Sequence, residues 1–543
     1  MDEIEVPVLI VGGSLVGMSM ALLLGHHGIR SLAVEHHRGT AIHPRAAMIT
    51  QRTMEILREV GVEQIAMEKS DEQFVQDGAV MALESLAGKE ISWFIPNLNE
   101  GMRDVSPSLR LFITQNLLEP LLQSRARDLG AELCFATEMV SFEEDRDGVT
   151  AIIRERDSGK MASVRAQYMV AADGSHSKIR ERLGIRMLGH GVFSRSITIY
   201  FHGDVTPLLR GRNLSVMYVV NSVLSGFFRI EKPFTSGFLA VHWLGDLKNP
   251  VTDVSKALTE ERCYGMLRAA LGDDSVPVTI DSVMHWDAAA DTAERFQHGR
   301  IFLAGDSAHV MPPSGGFGGN TGVQDAHNLA WKLALVLKGA AGPELLSTYD
   351  LERRPASAFT VEQAYSRYVT RSAPYLRSDD MQAIESDLNI ECGYVYHSPA
   401  VLPDTRGNLP GHVNPRESRG QPGTRAPHIW LESGTKRIST LDLFGRNFAL
   451  LAGPEANAWS VSAGAAAKQL GLDLDIFVVG VNGLKDFSGE FLAGYGIERT
   501  GAVLVRPDGF VAWRSKTAND ASPERFVSVL RSILCRGARG EAA

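Results

Sequence analysis

At 543 residues the chain is too long for one core, so two to four domains are expected, and its 44% hydrophobic and 22% charged side chains are ordinary for globular domains. A formal net charge of -9 excludes nucleic acid and anionic membrane as its natural partners, since both reward a basic surface. Four scattered cysteines (Cys134, Cys263, Cys392, Cys535) form no C-x-x-C pair, which excludes a disulfide framework and a thiolate zinc site; no metal is expected.

Acidic residues near the start, and no apolar run of membrane-spanning length, point to a soluble, cytoplasmic protein. Val6 to Val11 is an apolar, β-branched run, the pattern of a buried parallel strand. Gly12-Gly13-Ser14-Leu15-Val16-Gly17 follows. Helix-forming residues run from Met18 to Leu24, Gly28 stops them, and a second strand from Ser31 to Val34 ends in Glu35. Strand, glycine turn, helix, strand and acid form a dinucleotide-binding fingerprint. Gly12 permits the tight turn, Gly17 lets the helix pack on the strand, and the helix N-terminus offers N–H groups to a pyrophosphate. Glu35 is placed to accept hydrogen bonds from ribose hydroxyls. Ser14 stands where a second glycine is usual. Its Cβ narrows the room for phosphate, while its hydroxyl can donate to it.

Further along, the apolar run from Tyr168 to Ala172 leads into Asp173-Gly174, with Ser177 placed to start a short helix that carries Arg180. Alternating and aromatic stretches then predict strands of a mostly antiparallel sheet: Ser215 to Val220, Gly226 to Ile230 and Gly237 to Trp243, with Ser92-Trp93-Phe94-Ile95-Pro96 upstream. Such a sheet would roof a cofactor and line a substrate cavity. Tyr218, Phe228, His242 and Trp243 are candidates for that lining, with plain core packing as the alternative for each. Gly299 to Ala304 predicts another buried strand, ending in Gly305-Asp306. The loop Pro312-Pro313-Ser314-Gly315-Gly316-Phe317-Gly318-Gly319-Asn320 then feeds a helix from about Val323 to Leu337, a second anion-binding device. Residues 403–428 are rich in Pro, Gly, Arg and Asn and predict a connection; beyond them, Gly501 to Trp513 predicts a hairpin turning at Asp508-Gly509.

Three signals stand in order: GGSLVG with Glu35, AADGSHSKIR, and FLAGDSAHVMPPSGGFGGN. Over roughly the first 400 residues they resemble the FAD-dependent aromatic hydroxylases with the fold of p-hydroxybenzoate hydroxylase. Finer similarity is to actinomycete aromatic-polyketide hydroxylases such as aklavinone hydroxylase. It is carried by His43-Pro44-Arg45-Ala46, Thr114-Gln115-Asn116-Leu117-Leu118-Glu119, Tyr349-Asp350-Leu351-Glu352-Arg353-Arg354-Pro355, Ser439 to Gly445 and Leu504 to Gly509. The resemblance implies an α/β fold: a Rossmann-like FAD domain (1–74, 111–185 and 285–395) interleaved with a β-sheet substrate domain (75–110 and 186–284). A linker (396–436) and a thioredoxin-like domain without its C-x-x-C (437–543) complete it.

It further implies that Gly12, Gly13, Ser14 and Gly17 hold the FAD pyrophosphate and Glu35 the ribose. Arg45, Gln115 and Asp306 would contact the phosphate–ribityl stretch, and Asp173-Gly174 both FAD and the nicotinamide cofactor. Arg45, Pro312, Gly318, Gly319 and Asn320 would surround the flavin edge. His309 has two readings, proton transfer or a structural histidine. The implied activity is single-component: NADPH (or NADH) reduces FAD, O2 adds as a C4a-hydroperoxide, and an aromatic, polyketide-derived polycyclic substrate is hydroxylated. Alternatives are a Baeyer–Villiger-type or other oxidative flavoenzyme of this fold, or an FAD-binding partner protein without turnover. A homo-oligomer is compatible with the sequence.

Overall fold

The β-branched run at the start forms the strand Asp2–Val11, whose second half is buried on both faces, as a parallel interior strand requires. The computed structural model describes residues 2–42, 47–245, 248–256, 258–404, 409–481 and 483–537. Asp2–Val11 pairs in parallel with Ser31–Val34 on one side and Met161–Ala171 on the other, and the latter pairs in parallel with Ile301–Leu303. Glu132–Cys134 extends the Ser31–Val34 edge, and an antiparallel pair, Thr137–Glu144 and Val149–Glu155, joins Met161–Ala171. Four neighbouring parallel strands thus end in Gly12, Glu35, Asp173 and the Gly305-Asp306 turn. Residues far apart in sequence meet along one carboxyl edge, where open α/β sheets bind ligands.

Two strands of 16 and 15 residues, Met187–His202 and Thr279–Ala293, pair antiparallel and build a second sheet. Its order is His309–Val310, Thr279–Ala293, Met187–His202, Ser236–Leu244, Leu224–Glu231, Leu214–Val220, Ala79–Leu83, Glu90–Ile95. Only the Leu214–Val220 and Ala79–Leu83 contact is parallel. One face, with Phe228, Leu239, Val241 and Met217, is buried against the helix Glu260–Leu271. The opposite face meets the helix Thr348–Arg371.

The C-terminal region is a mixed sheet in the order Leu474–Val478, Phe448–Ala452, Ala502–Val505, Val511–Ser515, with helices Asn457–Leu470 and Pro523–Ile533. Its parallel pair and antiparallel hairpin fit the thioredoxin-like expectation, and the hairpin turns at Asp508-Gly509 with Gly509 at φ +75°. Trp331, from the helix Phe317–Leu337, meets Phe448 edge to face at 5.7 Å. Among the described residues no helix is long and apolar enough to cross a membrane.

The stretch expected as a linker over 396–436 is pinned to the first domain. Ser398 Oγ donates to Glu352 Oε1 at 2.6 Å, and Arg425 donates to both oxygens of Glu55, Nε to Oε2 at 2.9 Å and Nη2 to Oε1 at 2.5 Å. Arg52 Nη1 adds a third bond to Glu55 Oε2 at 2.8 Å, and Arg52 Nη2 donates to the Asp508 carbonyl at 2.6 Å. Beside this, Arg506 Nη1 and Nη2 donate to Glu352 at 2.6 and 2.9 Å, while Lys332 Nζ reaches the same carboxylate at 2.8 Å. Within the Pro- and Arg-rich stretch read as a connection, Arg425 is thus paired with Glu55 in a buried contact, while Arg416 pairs with Asp104 at the surface.

Burial alone would raise the Glu55 carboxyl, but Arg425 and Arg52 hold it at about 2 against an ordinary 4.5. Its contribution to stability is therefore complete above pH 4.5 and drains away as the pH falls toward about 2. Replacing Glu55 by Gln strands two buried guanidiniums and is expected to cost about 3–5 kcal/mol at neutral pH. Denaturant titrations across pH should also show a flatter stability profile for E55Q than for the wild type in that acid window. Parallel profiles would contradict the assignment.

Candidate functional site

Steric demand fixes the glycine turn. Gly12 has φ +104°, and a Cβ there would lie 2.1 Å from the Ala172 carbonyl oxygen; one on Gly17 would lie 1.8 Å from the Gly12 carbonyl oxygen. A Cβ on Gly13 would come within 2.6 Å of the Glu35 Cβ. Close approach of strand, helix and neighbouring strand leaves room only for hydrogen at each position. The helix Leu15–His26 starts at Ser14, with no side-chain cap and no acid in its first turn, so its positive end is open to an anion. Glu35, 7% exposed, accepts from Gly13 N at 2.7 Å and His37 N at 2.8 Å.

Ser14 does not crowd the mouth of the turn. Its Oγ donates sideways to Glu119 Oε1 at 2.7 Å and accepts from Gln115 Nε2 at 2.8 Å. Gln115 Nε2 also donates to Glu119 Oε1 at 2.6 Å, and the other Glu119 oxygen accepts from Ala41 N at 2.6 Å. Ser14 and Gln115, both read from the sequence as cofactor contacts, are thus brought together. Glu119, buried at 1% exposure, joins them. Sequence reasoning missed it as a site residue, though its spacing of four from Gln115 on one helix was a usable signal.

Asp325 organises the turn at the end of Ile301–Leu303. It accepts from Gly305 N at 3.1 Å and Arg353 Nε at 2.8 Å, with His309 Nε2 at 2.7 Å. Burial would raise this carboxyl, but His309 and Arg353 hold it below its ordinary range. His309 is wholly buried and paired with Asp325, an arrangement in keeping with the structural one of its two readings. Arg180 ties the two aspartate turns together, donating to the Ser307 carbonyl and the Ser175 carbonyl at 2.9 Å each. Asp306 itself stays exposed at the front of this frame. Asp173 lies beside the Gly12 turn: Ile179 N donates to its Oδ2 at 3.4 Å, its Oδ1 is buried without a hydrogen bond, and burial raises its carboxyl.

A second helix N-terminus arrives at the same place. Gly315 and Gly316, at φ +94° and +66°, turn the chain into Phe317–Leu337, which has no side-chain cap and no acid in its first turn. A Cβ on Gly319 would lie 2.9 Å from Leu15 Cδ2, and one on Gly322 would lie 2.5 Å from Val16 Cγ2, so the opening turns of both helices touch. The Asn320 side chain is spent on bracing. Its Nδ2 donates to the Met48 and Gly316 carbonyls at 2.8 and 2.7 Å, and its Oδ1 accepts from Thr50 N at 2.9 Å. Any contact from Asn320 or its neighbours Gly318 and Gly319 to a ligand falls to the backbone. Pro312 is buried just upstream, and Arg45 lies outside the described residues.

The second sheet presents an aromatic wall. Tyr218, Phe227 and Phe238 share its inward face, with Phe227 ring centroids 5.8 Å from Tyr218, 5.6 Å from Phe238 and 5.6 Å from His242. Arg229, also on this face, lies over Phe74 and Phe238. Phe74 belongs to a small apolar cluster with Met48, the residue whose carbonyl Asn320 holds. The expectation for Phe228 is corrected: it faces outward, fully buried with Phe201 beneath Glu260–Leu271. Phe227 takes the inward position, because adjacent strand residues point to opposite faces and Phe227 pairs across from Tyr218. Trp286, which the sequence reading did not select, also stands at this wall, 5.8 Å from His242. Trp243 is inward but closed off, donating from Nε1 to the Ser372 carbonyl at 2.5 Å.

Residues 5–364 match the FAD binding domain family, and residues 419–536 match the aromatic-ring hydroxylase C-terminal family. The chain is 50% identical over 541 residues to a 4-methyl-5-nitrocatechol 5-monooxygenase from Burkholderia, covering 98% of each chain. It is 35% identical to an aklavinone 12-hydroxylase from Streptomyces purpurascens, covering 99% of this chain and 100% of the relative. The crystal structure of aklavinone-11 hydroxylase with FAD and aklavinone superposes with a TM-score of 0.91 at 34% identity, covering 99% of this chain and 100% of that one.

Gly17→Ala should drive a methyl into the Gly12 carbonyl, 1.8 Å away, and lower the FAD carried per protein. A fall of about tenfold or more is expected from the cost of overpacking. Ser14→Gly should carry as much FAD as the wild type, since the hydroxyl it removes is turned toward Glu119. The flavin released on denaturation, measured per mole of protein, checks both. Loss of FAD in S14G would contradict the sideways assignment.

Proposed function

The chain belongs to the FAD-binding aromatic-ring hydroxylases, and on that premise we propose that it hydroxylates a phenol or catechol held against the inward face of the second sheet. The observation that carries this reading is the meeting of two uncapped helix N-termini at one sheet edge, with an aromatic wall on the facing sheet.

The described residues fit FAD. Glycines at 12, 13 and 17 let the strand, the helix and the neighbouring strand close into a tight turn, the helix behind it is open to a pyrophosphate, and Glu35 is positioned as a ribose acceptor. In this reading the Ser14 backbone and Gln115 flank the phosphates, Asp306 meets the ribityl–phosphate stretch, and Asp173-Gly174 serves both FAD and NAD(P)H. Arg45 is assigned to the cofactor by family resemblance. When bound, FAD would supply the redox chemistry, in which a hydride from NAD(P)H, a proton from solvent and O2 yield one ring hydroxyl and water.

The chain's own residues bind, orient and shield. Backbone N–H groups at Gly318, Gly319 and Asn320 open the Phe317–Leu337 helix and favour negative charge on a ring edge placed before them. Asn320 keeps that terminus in register with Met48 and Thr50. Pro312 and the wall formed by Tyr218, Phe227 and Trp286 keep water from the reacting ring and fix its plane.

The relative at 50% identity is named for a nitrocatechol, which favours a single hydroxylated ring as the substrate. A larger polyketide substrate is the second reading, favoured by the full-length likeness to the aklavinone complex. NAD(P)H oxidation by the FAD-loaded enzyme, with and without 4-methyl-5-nitrocatechol or aklavinone, separates them. The nitrocatechol is expected to accelerate oxidation by about tenfold or more, because substrate binding gates the reductive step. Acceleration by aklavinone alone would favour the second reading. No acceleration by any hydroxylated aromatic would overturn both.

A further inference from the structure

His242 lies in the strand Ser236–Leu244 where the pairing slips. Gly226 pairs with Val241, but the next residue, Ser225, pairs with Trp243, leaving His242 as the extra residue of a β-bulge. Directly paired residues share a face. Val241 therefore points outward with its neighbours beneath Glu260–Leu271, while Ala240 and Trp243 point inward. The bulge turns His242 inward as well, where its ring lies 5.0 Å from Tyr368, 5.6 Å from Phe227 and 5.8 Å from Trp286.

Within this aromatic box His242 is 1% exposed, and neither ring nitrogen has a hydrogen-bond partner among the described residues. Burial lowers the imidazole to about 3, so near neutral pH it offers one N–H and one unprotonated nitrogen. A phenylalanine would fill such a box without an unpaired polar atom. Buried polar groups without partners are uncommon, and a functional site is where a local rule of this kind is broken. Phe227 and Trp286, both in ring contact with His242, are only half-buried.

We propose that His242 is the residue that recognises the substrate's ring hydroxyl, its unprotonated nitrogen accepting the O–H hydrogen bond when Phe227 or Trp286 swings aside to admit the ring. The inference rests on the hydroxylase reading above and adds the group by which the wall tells a hydroxylated ring from an unhydroxylated one. No covalent bond changes in this step. The bond orients the ring and leaves electron density on it for attack. A site built to pair with a substrate hydroxyl discriminates strongly against analogues that lack the proton, because its own polar group then stays unpaired.

The test uses the FAD-loaded enzyme and two probes, 4-nitrocatechol and its dimethyl ether, with binding followed by changes in their absorption spectra. The wild type should prefer the catechol by about tenfold or more. In His242→Phe that preference should collapse to within about twofold, while the thermal midpoint holds or rises because an unpaired polar group has gone. His242→Gln keeps an acceptor and should keep most of the preference. Were H242F to yield no folded protein, His242→Met serves as the apolar partner for the same comparison with H242Q. An apolar variant that still prefers the catechol as strongly as the wild type overturns the role of His242 alone. A wild type that binds neither probe, and whose NAD(P)H oxidation answers to no hydroxylated aromatic, overturns the underlying reading instead.

Discussion

The buried carboxylate of Asp325 is the fixed point of the cofactor side of this molecule. It has no exposure to solvent, and it is surrounded by the amide of Gly305, the imidazole of His309 and the guanidinium of Arg353. A charge in that position is tolerable only with every lone pair answered. Meeting that demand sets the Gly305-Asp306-Ser307 turn, the long helix Thr348–Arg371 and the opening of Phe317–Leu337 in one arrangement. With those three held, the two uncapped helix ends converge and Asp306 is presented at the sheet edge.

The long helix carries the constraint further. Four of the five residues of its opening segment Tyr349-Asp350-Leu351-Glu352-Arg353 are hydrogen-bonded to other elements. Tyr349 OH donates to the Leu303 carbonyl at 2.7 Å, and Asp350 Oδ1 accepts from Phe296 N at 2.7 Å. Arg353 serves Asp325, while Glu352, its neighbour, is claimed by Arg506 and Lys332. Adjacent residues of one helix thus anchor the cofactor turn and the C-terminal domain. That domain is joined to the first through paired charges and carries no C-x-x-C pair.

Much of this was legible in the sequence where the cause is local. A glycine that can have no Cβ, a β-branched run and an Asp-Gly turn each declare themselves within a few residues, and the three cofactor motifs fell on adjacent strand ends. The illegible parts depend on distant partners or on a face. Glu55 meets Arg425 across 370 positions, so nothing local in the stretch read as a connection announces that pairing. Phe227 and Phe228 are equivalent by composition, and only the register against Tyr218 tells which looks inward. The bulge that turns His242 inward leaves no mark on alternation in a strand so uniformly apolar. His309 could be read two ways because its partner, Asp325, sits on the following helix with nothing in the spacing to announce it.

Together these features describe a frame that holds a dinucleotide at a sheet edge, faces it with an aromatic wall and leaves the redox step to FAD. The most direct test of that account is the source of the oxygen in the product. Turnover of a hydroxylated aromatic with NAD(P)H under isotopically heavy O2 in ordinary water, followed by mass spectrometry, should place one heavy oxygen atom in the new hydroxyl group. A product whose new oxygen comes from water, or NAD(P)H consumption that yields only hydrogen peroxide with every aromatic that accelerates it, would contradict it.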